Sequence, residues 1–215
     1  MPKDGNGDIA HDFLGSAHVF TSAVEEVLEK RLLEEIAGRQ LTLSQFKLLK
    51  MVALTQARTI SDVGLFLGIS NAAASKAVDK LVRRKLLRRD EGQPDRREIR
   101  LSLTESSRRL LSAYEEGKER KLAQLFHGVS YEELRRAARL LDRLSAGLID
   151  HHSNPDDVCL QCGIYFRDKC LVRQYVKRNC FYSPNRRDSK HSHPAHGDSE
   201  PSPGTYEEEL EVLGS

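Results

Sequence analysis

The sequence contains no run of about 18 uninterrupted apolar residues, the length that a membrane-crossing helix requires. Met1 to Asp8 is polar and lacks the apolar core of a signal peptide, so a cytoplasmic address is expected. Catalytic signatures are equally scarce, with no phosphate-binding glycine loop, dinucleotide fingerprint, His-Glu-x-x-His pair or nucleophile elbow. Ser44 and Lys47 have a Ser-x-x-Lys spacing, but the companion motifs of enzymes that use it are missing, and no enzyme is expected. Cysteine is absent before Cys159, and all four cysteines fall between Cys159 and Cys180. In a reducing compartment a disulfide framework is improbable, so that cluster needs another explanation. Hydrophobic residues make up 39% of the chain and charged residues 31%. An average soluble domain has ~45–50% and ~25%, so part of the 215-residue chain reads as solvated tail around one domain.

The net charge of +2 conceals an uneven distribution. From Asn71 to Arg100 ten cations face five anions, a net of +5. From Ser183 to Ser215 three cations face seven anions, a net of −4. A basic region next to a detachable acidic tail points to a domain that binds a polyanion.

Residues 1–11 show no apolar period and read as disordered, as do residues 183–215, which are rich in Ser, Pro, His and Gly. Between Asp12 and Ala37, apolar residues recur at three and four (Phe13, Ala17, Phe20, Val24, Val27, Leu28, Leu32, Ile36), which predicts a long amphipathic helix. Thr42 with Gln45 has capping-box spacing ahead of Phe46, Leu49 and Val52, and Thr59 with Asp62 opens a shorter helix through Leu67. Gly68-Ile69-Ser70 then reads as a tight turn, with Ser70 capping a helix from Asn71 to about Lys85. Two short helices across a glycine-containing turn form a helix-turn-helix. In the second, Ala74, Val78, Leu81 and Val82 make the inward stripe. Asn71, Ala72, Ser75, Lys76, Asp79 and Lys80 are left mostly outward. Leu86 to Arg89, the turn residues Gly92 to Asp95, and the alternating Glu98 to Leu103 predict a β-hairpin with a charged tip. Helices from Thr104 through Phe126 and from a Ser130/Glu133 capping box through Leu148 complete the domain, residues 12–150. The fold class is therefore mainly α, with one hairpin (α+β).

A helix-turn-helix followed by a basic ribbon is a winged helix. The ~12 Å major groove of B-DNA accepts a helix whose N-terminal side chains reach base edges, which assigns base contacts to Asn71, Ser75 and Lys76, with Ala72 and Ala73 permitting close approach. Lys80, Arg83, Arg84 and Arg88 suit phosphates, and Arg96 and Arg97 at the wing tip suit the electronegative minor groove. Gly68-Ile69-Ser70, the run Leu81 to Arg89, Asp95-Arg96-Arg97 and Leu103-Thr104-Glu105 resemble, in order and spacing, the MarR family of bacterial winged-helix regulators. The match is specific from Leu41 to Ser107; the outer helices agree in length and placement. This resemblance implies a homodimer whose first and last helices intertwine, with each winged helix on one half-site of an operator in double-stranded DNA. It also implies that Asp95 braces the wing through one arginine while another enters the minor groove, roles that fall to Asp95, Arg97 and Arg96 with the two arginines interchangeable. Two positions depart from the family pattern, Lys85 and Ser107, where glycine is usual. A left-handed backbone at Lys85 costs about 1 kcal/mol.

The family pattern ends near Asp150, and residues 155–182 are an addition with Cys159, Cys162, Cys170 and Cys180 spaced Cys-x2-Cys-x7-Cys-x9-Cys. Cys159-Leu160-Gln161-Cys162-Gly163 resembles a metal knuckle. A structural zinc site usually closes with a second close pair, which is missing here, whereas a 4Fe-4S cluster accepts one pair and two dispersed thiolates. The cluster is the expectation and zinc its alternative, with a thioredoxin-like redox pair or unliganded thiols as the plainer readings. The expected function is a DNA-binding transcriptional regulator modulated by that centre. The other class left open is a metal-dependent protein-interaction module whose winged helix does not bind DNA.

Overall fold

The computed structural model describes residues 5–39, 41–55, 59–91, 99–149 and 180. The chain opens with α1 (Gly5–Ala23), a π-helical run (Val24–Arg31) and α2 (Leu32–Ala37), which follow one another without a break. Then come α3 (Leu43–Leu54), α4 (Ile60–Leu67), α5 (Asn71–Arg83), β1 (Leu87–Glu91), β2 (Ile99–Leu103), α6 (Glu105–Leu125) and α7 (Tyr131–Leu148). The architecture is the mainly helical winged helix with long outer helices that the sequence predicts.

Capping chemistry sets the helix starts. Thr42, Thr59 and Ser130 each accept a hydrogen bond from the backbone N–H three residues on, while Gln45, Asp62 and Glu133 reach back to the cap residue's N–H. The Ser130 hydroxyl and N–H both donate to Glu133, which holds that carboxyl below the ordinary carboxylate range. Two features at the N-terminus differ from expectation. The helix begins at Gly5 rather than Asp12, so the stretch expected to be disordered is helical from Gly5 onward. Asp8 in the first turn suits the positive end of the helix dipole, and Ile9 is 61% exposed, so the extension is not held by burial of its apolar residue. The periodicity predicts an α-helix throughout, yet Val24–Arg31 is π-helical. Its ion pairs, Glu25 to Lys30 at 3.0 Å and Glu26 to Arg31 at 3.1 Å, are both spaced by five residues, the repeat of the wider π turn.

The core lies where α3, α4, α5, the hairpin and the first half of α6 meet. Phe46, Leu49 and Met51 of α3, Phe66 of α4, Val78 and Leu81 of α5 and Leu101 of β2 are all buried in it. Tyr114 of α6 closes the core: its ring centroid is 4.3 Å from that of Phe46, and its hydroxyl donates to the Leu28 carbonyl at 2.7 Å. That bond ties the first long helix to the winged helix. Gly117 lets α2 approach α6, because a Cβ there would stand 2.9 Å from Leu32 Cδ1. β1 and β2 pair antiparallel with Leu87 opposite Leu103 and Arg89 opposite Leu101, which puts the apolar ends of both strands on the core and leads the ends with Asp90 opposite Arg100 outward.

The outer helices are different. α7 buries no residue, and its Leu141, Leu144 and Leu148 are exposed, as are Leu14, Val19 and Phe20 of α1. No helix among the described residues is long and apolar enough to cross a membrane.

Candidate nucleic-acid interface

The interface is built on α5. Gly68 ends α4 in the left-handed conformation (φ 65°), which turns the chain sharply, and the Ser70 hydroxyl accepts from the Ala73 N–H at 3.3 Å to start α5. Gly64 of α4 allows the two helices to close: a Cβ there would lie 2.9 Å from Asn71 Oδ1 and 3.0 Å from the Ile69 carbonyl. Ala74, Val78 and Leu81 anchor α5 in the core.

The side chains assigned to DNA from the sequence fall into three groups. Ala72, Lys76, Lys80 and Arg83 are exposed and recur at four and three, so they form one strip along the outer face of α5. None of these three cations has an ion pair with a described residue. The second group lies closer to the protein, and in it Arg84 and Arg88 make protein hydrogen bonds. Asn71 is exposed but has its carboxamide oxygen over Gly64, and Ser75 is half-buried beside the strip. The Arg84 guanidinium donates to Gln45 Oε1 of α3 at 3.5 Å. Arg88 donates to Ser102 Oγ across the hairpin at 2.8 Å and lies 3.4 Å from Asp90 Oδ1, while the Ser102 hydroxyl donates to Asp90. The third group, Asp95, Arg96 and Arg97 at the wing tip, lies outside the described residues.

Sequence reasoning missed two braces. Arg89 of β1 pairs with Asp79 of α5 at 2.8 Å, linking the first wing strand to α5. Lys85 adopts φ 57°, and its carbonyl accepts from the Thr104 hydroxyl at 2.7 Å, while that same hydroxyl accepts from the Ser107 N–H at the start of α6. The Lys85 N–H donates to the Val82 carbonyl and the Leu86 N–H to the Leu81 carbonyl, both at 2.9 Å, the paired bonds of a Schellman motif. The left-handed backbone anticipated at Lys85 is therefore present without glycine. Neither brace has a short-range signal, since Asp79 and Arg89 lie on different elements and the Thr104 contact crosses the whole hairpin.

A second charged cluster sits on the inner side. Lys50 and Lys118 are almost wholly buried and both donate to Glu115. Burial pushes the Glu115 carboxyl up, but the hydrogen bonds and charges of Lys118 and Lys50 outweigh it and hold the carboxyl below its ordinary range. Glu29 shows the opposite outcome: burial raises it, and Lys47 only partly offsets this.

Of the four cysteines, Cys180 is described and is half-buried; Cys159, Cys162 and Cys170 lie outside the described residues. Among the described residues no group of His, Cys, Asp and Glu could hold a metal ion.

Residues 39–98 match the MarR family, from the turn before α3 to the wing. Among solved structures, the chain is similar to a MarR family protein from Bacillus stearothermophilus, at 20% identity and TM-score 0.51, covering 64% of this chain and 96% of that one. It is similar to RV1404 from Mycobacterium tuberculosis at 20% identity and TM-score 0.55, covering 62% and 91%. The structure of S. aureus MepR bound to ethidium bromide is similar at 21% identity and TM-score 0.50, covering 62% and 96%. At these identities the likeness establishes the fold, which spans nearly the whole length of each neighbour.

Proposed function

We propose that this chain, which carries a MarR-family winged helix over residues 39–98, is a sequence-specific DNA-binding regulator of transcription that works as a homodimer in the cytoplasm. The observation that carries the reading is the strip of Ala72, Lys76, Lys80 and Arg83: small at its start, cationic beyond, and set on a helix rigidly held by the turn, the core and the Asp79–Arg89 pair. A helix of this kind fits a major groove with its N-terminal end toward base edges and its cations toward phosphates. Asn71, Ser75 and Lys76 are assigned to bases. Lys80, Arg83 and the outward part of Arg88 are assigned to phosphates, and Arg96 and Arg97, beside Asp95, to the minor groove. Arg84, turned toward Gln45, is the weakest of these assignments.

The exposed leucines of α7 and the exposed Leu14, Val19 and Phe20 of α1 support dimerisation through the outer helices, since isolated amphipathic faces of this length are stable only when covered. Two recognition helices in such a dimer meet successive major grooves ~34 Å apart, so the operator is an imperfect palindrome. Cys159, Cys162, Cys170 and Cys180 are assigned to a 4Fe-4S cluster, with zinc the alternative, and changes at that centre shift α7 against its partner and thereby the spacing of the recognition helices.

Selection from a random duplex library tests the DNA reading. The intact protein enriches a palindromic site, and Lys80→Glu with Arg83→Glu weakens binding to it on the order of a hundredfold. Failure to enrich any site, with a helical and dimeric protein, favours the interaction-module reading. Anaerobic purification tests the centre: a brown protein supports iron–sulfur, colourless protein with stoichiometric zinc supports zinc, and an unchanged metal content in Cys170→Ser refutes both.

A further inference from the structure

The outer face of α5 has more positive charge than the described part of the domain neutralises. Lys76, Lys80 and Arg83 are exposed and make no ion pair with a described residue, while the carboxylate of α5 itself, Asp79, is already taken by Arg89. The same chain carries the opposite charge pattern near its C-terminus. Residues 183–215 have a net charge of −4, and four of their seven carboxylates are packed into Glu207-Glu208-Glu209-Leu210-Glu211 with no cation among them. We propose that this acidic run docks on the Lys76/Lys80/Arg83 face of α5, so that the tail and DNA compete for one surface.

The spacing suits the match. In extended form alternate side chains share a face, so Glu207, Glu209 and Glu211 present charges ~7 Å apart on one side, close to the ~6 Å rise from Lys76 to Lys80 along α5. Lys76 to Arg83 spans about 10 Å along the helix, which Glu207 to Glu211 covers. Reach is not limiting even without residues 155–182, because residues 183–206 alone have a contour length of ~80 Å at about 3.3 Å per residue, against a radius of gyration of ~14 Å for a domain of about 140 residues. Tethering favours the tail over any free acidic partner, since an attached ligand acts at an effective concentration that a dilute one does not reach. Competition with DNA rests on the DNA-binding reading above; docking itself does not.

The test uses the full-length chain in which Glu207, Glu208, Glu209 and Glu211 are all replaced by Gln. If the tail covers the face for most of the time, the apparent affinity of the native chain for its duplex is reduced by the fraction left open, so the variant binds about five- to tenfold more tightly at low salt. The native chain also shows the shallower salt dependence, because added salt weakens DNA binding and frees the face together. A second arm needs no DNA: a fluorescent peptide of residues 203–215 is titrated into the Gln variant. Its anisotropy rises on binding, and Lys80→Glu with Arg83→Glu in the same chain abolishes the rise. Equal duplex affinity of native chain and Gln variant overturns the competition. A peptide that does not bind, or binds regardless of the α5 reversal, overturns the docking, and a tighter duplex then reflects long-range repulsion alone. If neither chain binds any duplex, the DNA reading fails and the peptide arm still decides the docking.

Discussion

In α5, Ala74, Val78 and Leu81 recur at four and three and are all buried; in α7, Leu141, Leu144 and Leu148 recur at three and four and are 44%, 43% and 78% exposed. Both helices have the amphipathic pattern of an element that must be covered. α5 finds its cover among the described residues, against α4 and the hairpin, and α7 finds none there. Periodicity thus states that a face will be buried and leaves open what buries it. The exposed face of α7 is what the proposed second copy of the chain would cover.

The largest effect is expected at Tyr114, which joins the covered core to the first long helix. Tyr114→Ala removes a wholly buried ring and its bond to Leu28, and is expected to cost ~3–5 kcal/mol in urea unfolding. Tyr114→Phe keeps the ring and loses only the hydrogen bond, for about 1 kcal/mol, which separates packing from the tie to the first helix.

Next in size is the buried cluster. Glu115→Gln removes the carboxylate charge that faces the nearly buried Lys50 and Lys118, with an expected loss of about 2 kcal/mol, below the ~3–5 of a fully buried pair because Glu115 is partly exposed. The pH dependence follows from the sign of its shift. A carboxyl lowered in the folded state contributes stability that is present above the unfolded value of ~4.3 and is lost as pH falls through the folded value. The gap between native and Glu115→Gln proteins is therefore wide at neutral pH and closes below about pH 4 in paired urea titrations.

Lys85→Gly has a smaller effect of opposite sign. It relieves the left-handed strain at φ 57° at the cost of a looser unfolded chain, and is expected to stabilise by about 0.5–1 kcal/mol in thermal unfolding. Least affected is the core when α7 is altered: Leu141→Asp with Leu144→Asp is expected to leave the near-UV circular dichroism of the winged helix intact. In light scattering the same variant is monomeric, and its unfolding midpoint no longer rises with protein concentration.

The parts of this fold legible in the sequence are those governed by local rules. Capping pairs at Thr42, Thr59 and Ser130, the Gly68 turn, the inward stripe of α5 and the alternating Ile99 to Leu103 strand all depend on residues within a few positions of one another. What escaped depends on distance or on competition. The π-helical Val24–Arg31 has an ordinary apolar period, and only the five-residue spacing of Glu25/Lys30 and Glu26/Arg31 marks it. Asp79 with Arg89, Arg84 with Gln45, and the Lys50–Glu115–Lys118 cluster each join elements that only the folded chain brings together. The basic strip was legible because helical spacing fixes Lys76, Lys80 and Arg83 on one side, whereas the diversion of Arg84 and Arg88 into protein contacts was not.

Hydroxyl-radical footprinting of the intact protein on its selected duplex tests the central claim most directly. The expected result is two protected patches related by two-fold symmetry and centred one helical turn, ~34 Å, apart, both lost in Lys80→Glu with Arg83→Glu. A single unsymmetrical patch, or protection that survives the reversal, would contradict it.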